Sequence, residues 1–404
     1  MCGMADAFSF GKRVRFYRKR RGLRQWELGA LLDRSEDWVY RVEAGRIPVN
    51  SVKMLADLAQ ALRVAVVDLQ GAPVLLEDRR GHPGSVSAIR SALMHSRHLA
   101  GALYAGREPP RLERLGVEVD AAWGLFQASA YGRLAERLPA LLADARLATH
   151  EHAAGRERVE ALRLFAVTCH VTAVLLRSLG ETSLAWTAAD QGDVAASDSG
   201  DPAVILALRR CVAHVQLGAG MAADAVDVVL HAADGLPRTW SGSSPTALSL
   251  YGTLCLNGAV AAARLPDRSL AGDLMAQARR AADQLGADAN EMWTSFGPAN
   301  VECHRLALAL EFEDVQLAVD LAPRVPLGRD LPVERRARAR LDVARAYGAA
   351  GRTDEAADQL KRAFRAAPEQ MRAHGLAREL ARRLHRQSAR RDVRELALAL
   401  GVLT

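Results

Sequence analysis

Lysine is nearly absent from this 404-residue chain: Lys12, Lys19, Lys53 and Lys361 are the only four, so almost all of its 54 basic residues are arginine. That bias suggests a GC-rich genome, and it discounts the net charge of +7 as a sign of polyanion binding. Where the basic residues cluster matters more than their sum. Aromatic side chains make up only 5 %, and Ala, Leu and Arg are abundant, which argues against a β-rich core and for helices packed closely through small residues. The five cysteines, Cys2, Cys169, Cys211, Cys255 and Cys303, are odd in number and lie far apart with no CxxC pair. Reduced, buried thiols in the cytosol are the expectation, not a disulfide framework.

No apolar stretch follows Lys12 and Arg13, so no signal peptide is visible. The uncharged run from Ala247 to Ala263 contains Ser249, Gly252, Asn257 and Gly258, and it falls short of the roughly 20 apolar residues that span a bilayer. It reads as a buried core helix, and a cytoplasmic protein with no membrane partner is expected. Catalytic signatures are missing too: there is no GxSxG, P-loop or HExxH, and Gly218-x-Gly220 has no strand before it. His150-Glu151-His152, and His95 with His98, have no obvious third ligand. The neighbours Cys169-His170 and Cys303-His304 point apart on a helix. No metal site, no cofactor and no enzymatic activity are expected.

What is present begins at the N-terminus. Phe10, Val14 and Tyr17 make one apolar helical stripe, and between Ser9 and Trp26 there are eight basic residues and no acidic one. Gly22 ends that helix. A short helix from Gln25 to Leu32 turns its Leu28, Leu31 and Leu32 inward. Asp33-Arg34 makes a turn, and Ser35 is the N-cap of a third helix whose inner face is Val39 and Val42. Gly45 and Pro48 stop it. Ser51 caps a fourth helix carrying Leu55, Leu58, Ala59 and Leu62, and Val64 to Leu69 closes a five-helix bundle.

The stretch RGLRQWELGALLDRSEDWVYRVEAGRIPV resembles the Cro/repressor (XRE-type) helix-turn-helix family over about sixty residues. The resemblance rests on Leu23-x-Gln25, the small Gly29 where two helices touch, the Ser35 cap, and Val39-x-x-Val42-Glu43-x-Gly45 followed by Pro48. Asp33 departs from the family's usual glycine, although Asp is one of the few residues that tolerate a left-handed turn. The resemblance implies a recognition helix in the major groove, with Glu36, Asp37, Tyr40 and Arg41 near base edges and Gln25 placed to hold a phosphate. Arg13, Arg18 and Arg46 complete the expected DNA-binding set. Trp38 is expected to pack against the preceding helix.

Gln70 to Ser87 is rich in Gly, Pro and Arg and reads as a linker. Everything after it reads as helices broken about every twenty residues. In ARLDVARAYGAAGRTDEAADQLKRAFRAAPE, the residues Ala344, Tyr347, Gly351, Ala356, Leu360, Ala363 and Pro368 match the spacing of tetratricopeptide (TPR) repeats. Weaker copies hold Ala213, Gly220, Ala225, Ala232 and Pro237, and Ala173, Gly180 and Ala185. Second-helix alanines thus recur at 185, 225, 271, 318 and 356, and an earlier pair around Trp123 to Ala148 caps the array. The chain resembles actinobacterial regulators that join this helix-turn-helix to a degenerate TPR array. Peptide-sensing quorum regulators share that architecture, but fold does not fix function.

The expected fold is therefore all-α: a five-helix Cro/repressor-type helix-turn-helix domain at 8–70, a linker at 71–87, and a TPR-like α-solenoid at 88–404 for sensing and dimerisation. Its expected partners are double-stranded DNA, a peptide, small-molecule or protein effector, and a second copy of the chain. A scarce concentration of aromatic and amide groups, Trp293, Phe296 and Asn300 with Asn257, Trp186 and Tyr251, offers a possible effector groove; a helix-start packing motif is the plainer account. The Arg-rich stretch from Arg372 to Arg391 is expected as a solvated terminal face. The competing reading is a protein-interaction scaffold whose helix-turn-helix no longer binds DNA.

Overall fold

Helix caps and small residues account for most of the architecture of the computed structural model, which describes residues 10–47, 49, 51–64, 66–70, 84–94, 108, 110–234, 244–328 and 331–403. No strand forms among the described residues, where one antiparallel bridge joins Ala289 to Phe296. The protein is all-α. Cys2, Pro48, His95, His98, Pro237 and residues 71–83 of the expected linker lie outside the described residues.

Five short helices make the N-terminal bundle: α1 (Phe10–Arg20), α2 (Gln25–Leu31), α3 (Glu36–Glu43), α4 (Val52–Leu62) and α5 (Val66–Gln70). Their limits follow local chemistry. Ser35 Oγ accepts from the Trp38 amide and Ser51 Oγ from the Met54 amide, both at 3.2 Å, each satisfying an amide that a helix start leaves free. Asp33 adopts the left-handed conformation at φ 51°, and Gly45 ends α3 at φ 67°. Phe10, Val14, Leu28, Val39, Val42, Leu55 and Leu58 fill the core between these helices.

The array follows. An inner series, α7 (Leu112–Gln127), α9 (Gly155–Ser178), α11 (Pro202–Ala219), α13 (Pro245–Arg264), α15 (Pro298–Glu311) and α17 (Val333–Ala349), packs each member on the next, and α17 returns to α7. Each inner helix pairs with an outer one: α8 (Tyr131–Glu151), α10 (Thr182–Ser199), α12 (Ala222–Asp234), α14 (Arg268–Leu285), α16 (Val315–Leu321) and α18 (Thr353–Ala366). One further helix, α6 (Gly84–Met94), starts inside the stretch read as linker and packs on α8. The alanines Ala185, Ala225, Ala271, Ala318 and Ala356 lie at the pair contacts with at most 1 % of their surface exposed, so each pair approaches as closely as its backbones allow. Ring closure is polar: Ser129 Oγ donates to Gln370 Oε1 at 3.0 Å, the Gly132 amide to Glu369 at 2.7 Å, and Gln370 Nε2 to the Glu334 carbonyl at 3.2 Å.

Two helices, Gly155–Ser178 and Pro245–Arg264, are long and apolar enough to cross a membrane, yet 83 % and 78 % of their apolar windows are buried inside the array. The second contains the uncharged run Ala247 to Ala263. Its Gly252 faces the ring of Phe296, which is fully buried, and a Cβ at Gly252 would overlap that ring. Gly252→Ala is therefore expected to cost about 1–3 kcal/mol by overpacking. A thermal melt reads the loss, and an unchanged midpoint would show that Phe296 can move aside.

Candidate nucleic-acid interface

The helix-turn-helix domain is held together by one buried carboxylate. Glu43, at the C-terminal end of α3, is buried and accepts from Arg18 Nε at 2.5 Å, from a second Arg18 nitrogen at 3.0 Å and from Gln25 Nε2 at 2.8 Å. Arg18 also donates to the Leu23 carbonyl at 2.7 Å. One carboxylate thus ties α1, the start of α2 and the end of α3 together. Gly11 adds to this, because a Cβ there would overlap the Val42 and Glu43 carbonyl oxygens. Gly29 similarly sits against the Arg34 carbonyl and lets α2 and α3 meet.

With that scaffold fixed, Glu36, Asp37, Tyr40 and Arg41 stand exposed along one edge of α3. Arg41 Nε pairs with Asp37 at 2.8 Å, a solvent-exposed bond that is easily exchanged. The guanidinium of Arg46 lies over the Tyr40 ring, 5.2 Å from its centroid. Trp38 packs partly into the bundle core, with Arg34 over its ring at 5.8 Å.

Two expected contact residues are corrected. Arg13 and Arg18 are buried, at 1 % and 7 % exposure, and Arg13 Nε donates to the Leu69 carbonyl at 2.6 Å. The reason is helical periodicity: Phe10, Arg13, Val14, Tyr17 and Arg18 fall at i, i+3, i+4, i+7 and i+8, all on the inner face. The exposed basic residues of this region are Lys12, Arg15, Lys19, Arg20 and Arg24. Gln25 is half-buried, its side-chain amide held by Glu43. Residues 9–70 match the helix-turn-helix domain family. No curated protein matches the chain. Among solved structures, the chain is similar to the crystal structure of Bacillus thuringiensis PlcR in complex with the peptide PapR7 and DNA. The two are 14 % identical, the match covers 69 % of this chain and 95 % of that one, and the TM-score is 0.35.

The helix-turn-helix domain is docked on the array, and no docking contact among the described residues comes from Glu36, Asp37, Tyr40 or Arg41. Glu311, at the end of α15, accepts from the Lys53 amide at 3.3 Å and the Ser51 hydroxyl at 3.5 Å, so the array caps α4. Arg34 pairs with Glu313 at 3.2 Å. Leu376, on α20 (Gly375–Gln387), which follows the short α19 (Pro368–Ala373), enters the core of the domain, and Arg386 donates to the Gly45 carbonyl at 3.2 Å. The stretch Arg372 to Arg391 is accordingly not a solvated face: Arg378 and Arg383 are buried, and one side of α20 holds the domain.

The aromatic and amide residues proposed from sequence as an effector groove do not converge. Phe296 is core, and Trp186 is exposed on the outer helix α10. Tyr251 donates to Gln277 at 2.5 Å. Trp293 stacks on Trp123 with centroids 4.8 Å apart and planes within 4°. It sits in a strained segment, since Met292, Trp293 and Ser295 all have positive φ, at 47°, 56° and 49°. Asn257 and Asn300 are on inner helices; Asn257 Nδ2 donates to the Arg210 carbonyl at 3.3 Å, and Asn300 is fully buried with neither side-chain polar atom bonded.

Proposed function

We propose that the protein is a sequence-specific DNA-binding transcriptional regulator, cytoplasmic and dimeric, of the Cro/repressor (XRE) type, whose TPR-like array binds an effector. The observation that carries this reading is the exposed row Glu36, Asp37, Tyr40 and Arg41 on a helix whose opposite face is locked by Arg18 and Glu43. An α-helix of this kind fits the roughly 12 Å wide major groove. Arg41 is free to leave Asp37 for a guanine, where a bidentate pair contributes about 1–3 kcal/mol of discrimination. Lys12, Arg15, Lys19 and Arg20, exposed on α1, supply the sequence-independent contacts to phosphate. Docking on the array leaves the reading edge open, and it gives any change in the array a lever on the domain's orientation. A dimer would present two such helices to half-sites about 34 Å apart.

Binding to DNA from around its own gene tests the reading. Affinity is expected to fall steeply and linearly with log salt concentration, and Arg41→Ala to relax preference at one base position with a loss of about 10- to 100-fold. Binding that ignores salt, or an unaltered base preference in the variant, would leave the interaction-scaffold reading in its place.

A further inference from the structure

The inside of the ring is basic, although no local sequence motif marks it. Arg177 comes from α9, Arg210 and His214 from α11, and Arg335 and Arg338 from α17, on helices that the closed series brings around one lumen. The stem of Arg177 lies across Gly218 of α11, where a Cβ would come 3.2 Å from its Cγ. Arg210 reaches His170 Nε2 at 3.2 Å, and Arg338 reaches His374 Nε2 at 3.0 Å. All four guanidiniums are close enough to act electrostatically on His214. Burial, then these arginines, hold that imidazole well below its ordinary pKa, and burial with Arg335 and Arg338 brings His304 down to about 4. The histidines therefore add no charge.

Carboxylates reach only part of this group. Asp342 pairs with Arg338 at 3.1 Å and with Arg345 at 2.6 Å, Glu334 acts on Arg177 and Arg338, and Glu311 acts on Arg338, while neither Arg210 nor Arg335 pairs with a carboxylate among the described residues. Polar valences remain open as well: the Nε atoms of Arg177, Arg210 and Arg335, the Nδ1 of His170, and both polar atoms of the Asn300 side chain are buried with no hydrogen-bond partner. Arg210, His170 and Asn300 are each more than nine-tenths buried. A group of like charges with unmade hydrogen bonds is costly to enclose unless something of opposite charge completes it. Arg177, Arg335 and Arg338 are half-buried and less enclosed than Arg210.

We propose that this lumen is a binding site for a small anionic effector carrying at least two oxyanion groups, phosphate or carboxylate, held by Arg177, Arg210, Arg335 and Arg338. Guanidinium forks match such groups in geometry and charge, and Asn300 and His170 offer neutral hydrogen bonds beside them. This deepens the reading of the array as an effector domain by naming the chemistry of the effector.

Melting of the full chain without DNA provides the test, so its failure is distinct from a failure to bind DNA. Pyrophosphate and citrate are titrated separately against sodium chloride of equal ionic strength, and tryptophan fluorescence is followed in parallel, because Trp123 packs edge-on against His170 at 4.8 Å. A saturable rise in melting temperature of several degrees is expected, together with a fluorescence change. Response to pyrophosphate alone identifies phosphate as the group, and response to both identifies any paired oxyanion. In Arg210→Met and in the more accessible Arg335→Met, the rise should vanish while melting in chloride is unchanged or higher, since a repulsive charge is gone. No response beyond that to chloride in the wild type, or an equal response in both variants, overturns the proposal. So does a lowered melting temperature in chloride for both variants, which would make these arginines structural.

Discussion

Replacing Glu43 by alanine will destabilise the helix-turn-helix domain by about 3–5 kcal/mol, although the residue touches no base in the proposed complex. Breaking a buried ion pair from one side leaves the other charge without compensation, and that, more than the lost attraction, sets the size of the effect. Arg18 would keep only the Leu23 carbonyl as partner, and Gln25 would lose its acceptor. The three helices then lose the carboxylate that joins them, and α3 loses its fixed angle to α1. Two readouts separate this from a local surface effect: amide hydrogen exchange should accelerate throughout α2 and α3, and DNA affinity should fall for all sequences alike. Glu43→Gln, which keeps acceptor capacity without charge, should recover part of the loss. Native exchange rates in Glu43→Ala would show that Gly11 and the apolar core suffice to hold α3.

Much of this arrangement was legible in the sequence, for reasons that are local. Ser35, Ser51, Asp33 and Gly45 act on backbone groups within four residues of themselves, so cap and turn chemistry placed α3 and α4 nearly to the residue. Gly29 and the alanines at 185, 225, 271, 318 and 356 could be read because close packing demands small side chains where two helices meet. The burial of Arg13 and Arg18 follows from periodicity, since i+3 and i+8 from Phe10 face inward whatever the residue type. The interior of the ring was not legible at all. Its basic residues come from helices far apart in the chain, and the contacts across and around the ring join Gln127 to Asn290 and Ser129 to Gln370. No window of sequence contains such a pair. The docking of the domain has the same character, since Glu311 and Leu376 are remote from the helices they cap and fill.

Acid should unfold the array before it would unfold an ordinary helical protein. His170, His214 and His374 are held well below the usual imidazole pKa, in each case by burial first and then by neighbouring arginines, and His304 is held at about 4 by burial and Arg335. The sign follows from linkage. A folded pKa below the unfolded value means that the unfolded chain binds more protons between the two, so stability is fully present above about pH 6.5 and is lost as pH falls toward the folded value. For His304 the window runs from about 6.5 down to about 4 and the loss approaches roughly 3 kcal/mol. The other three act in the same direction, and Asp342, itself lowered, adds its loss only at still lower pH. Melting temperatures measured from pH 7.5 to pH 4.5 should therefore drop steeply below about pH 6.5, with net proton uptake on unfolding near pH 5.5. His304→Gln should flatten part of that slope. A profile that stays level to pH 5 would mean that these imidazoles reach solvent or a counter-charge in the folded protein, and that the ring interior is less basic than its four arginines make it.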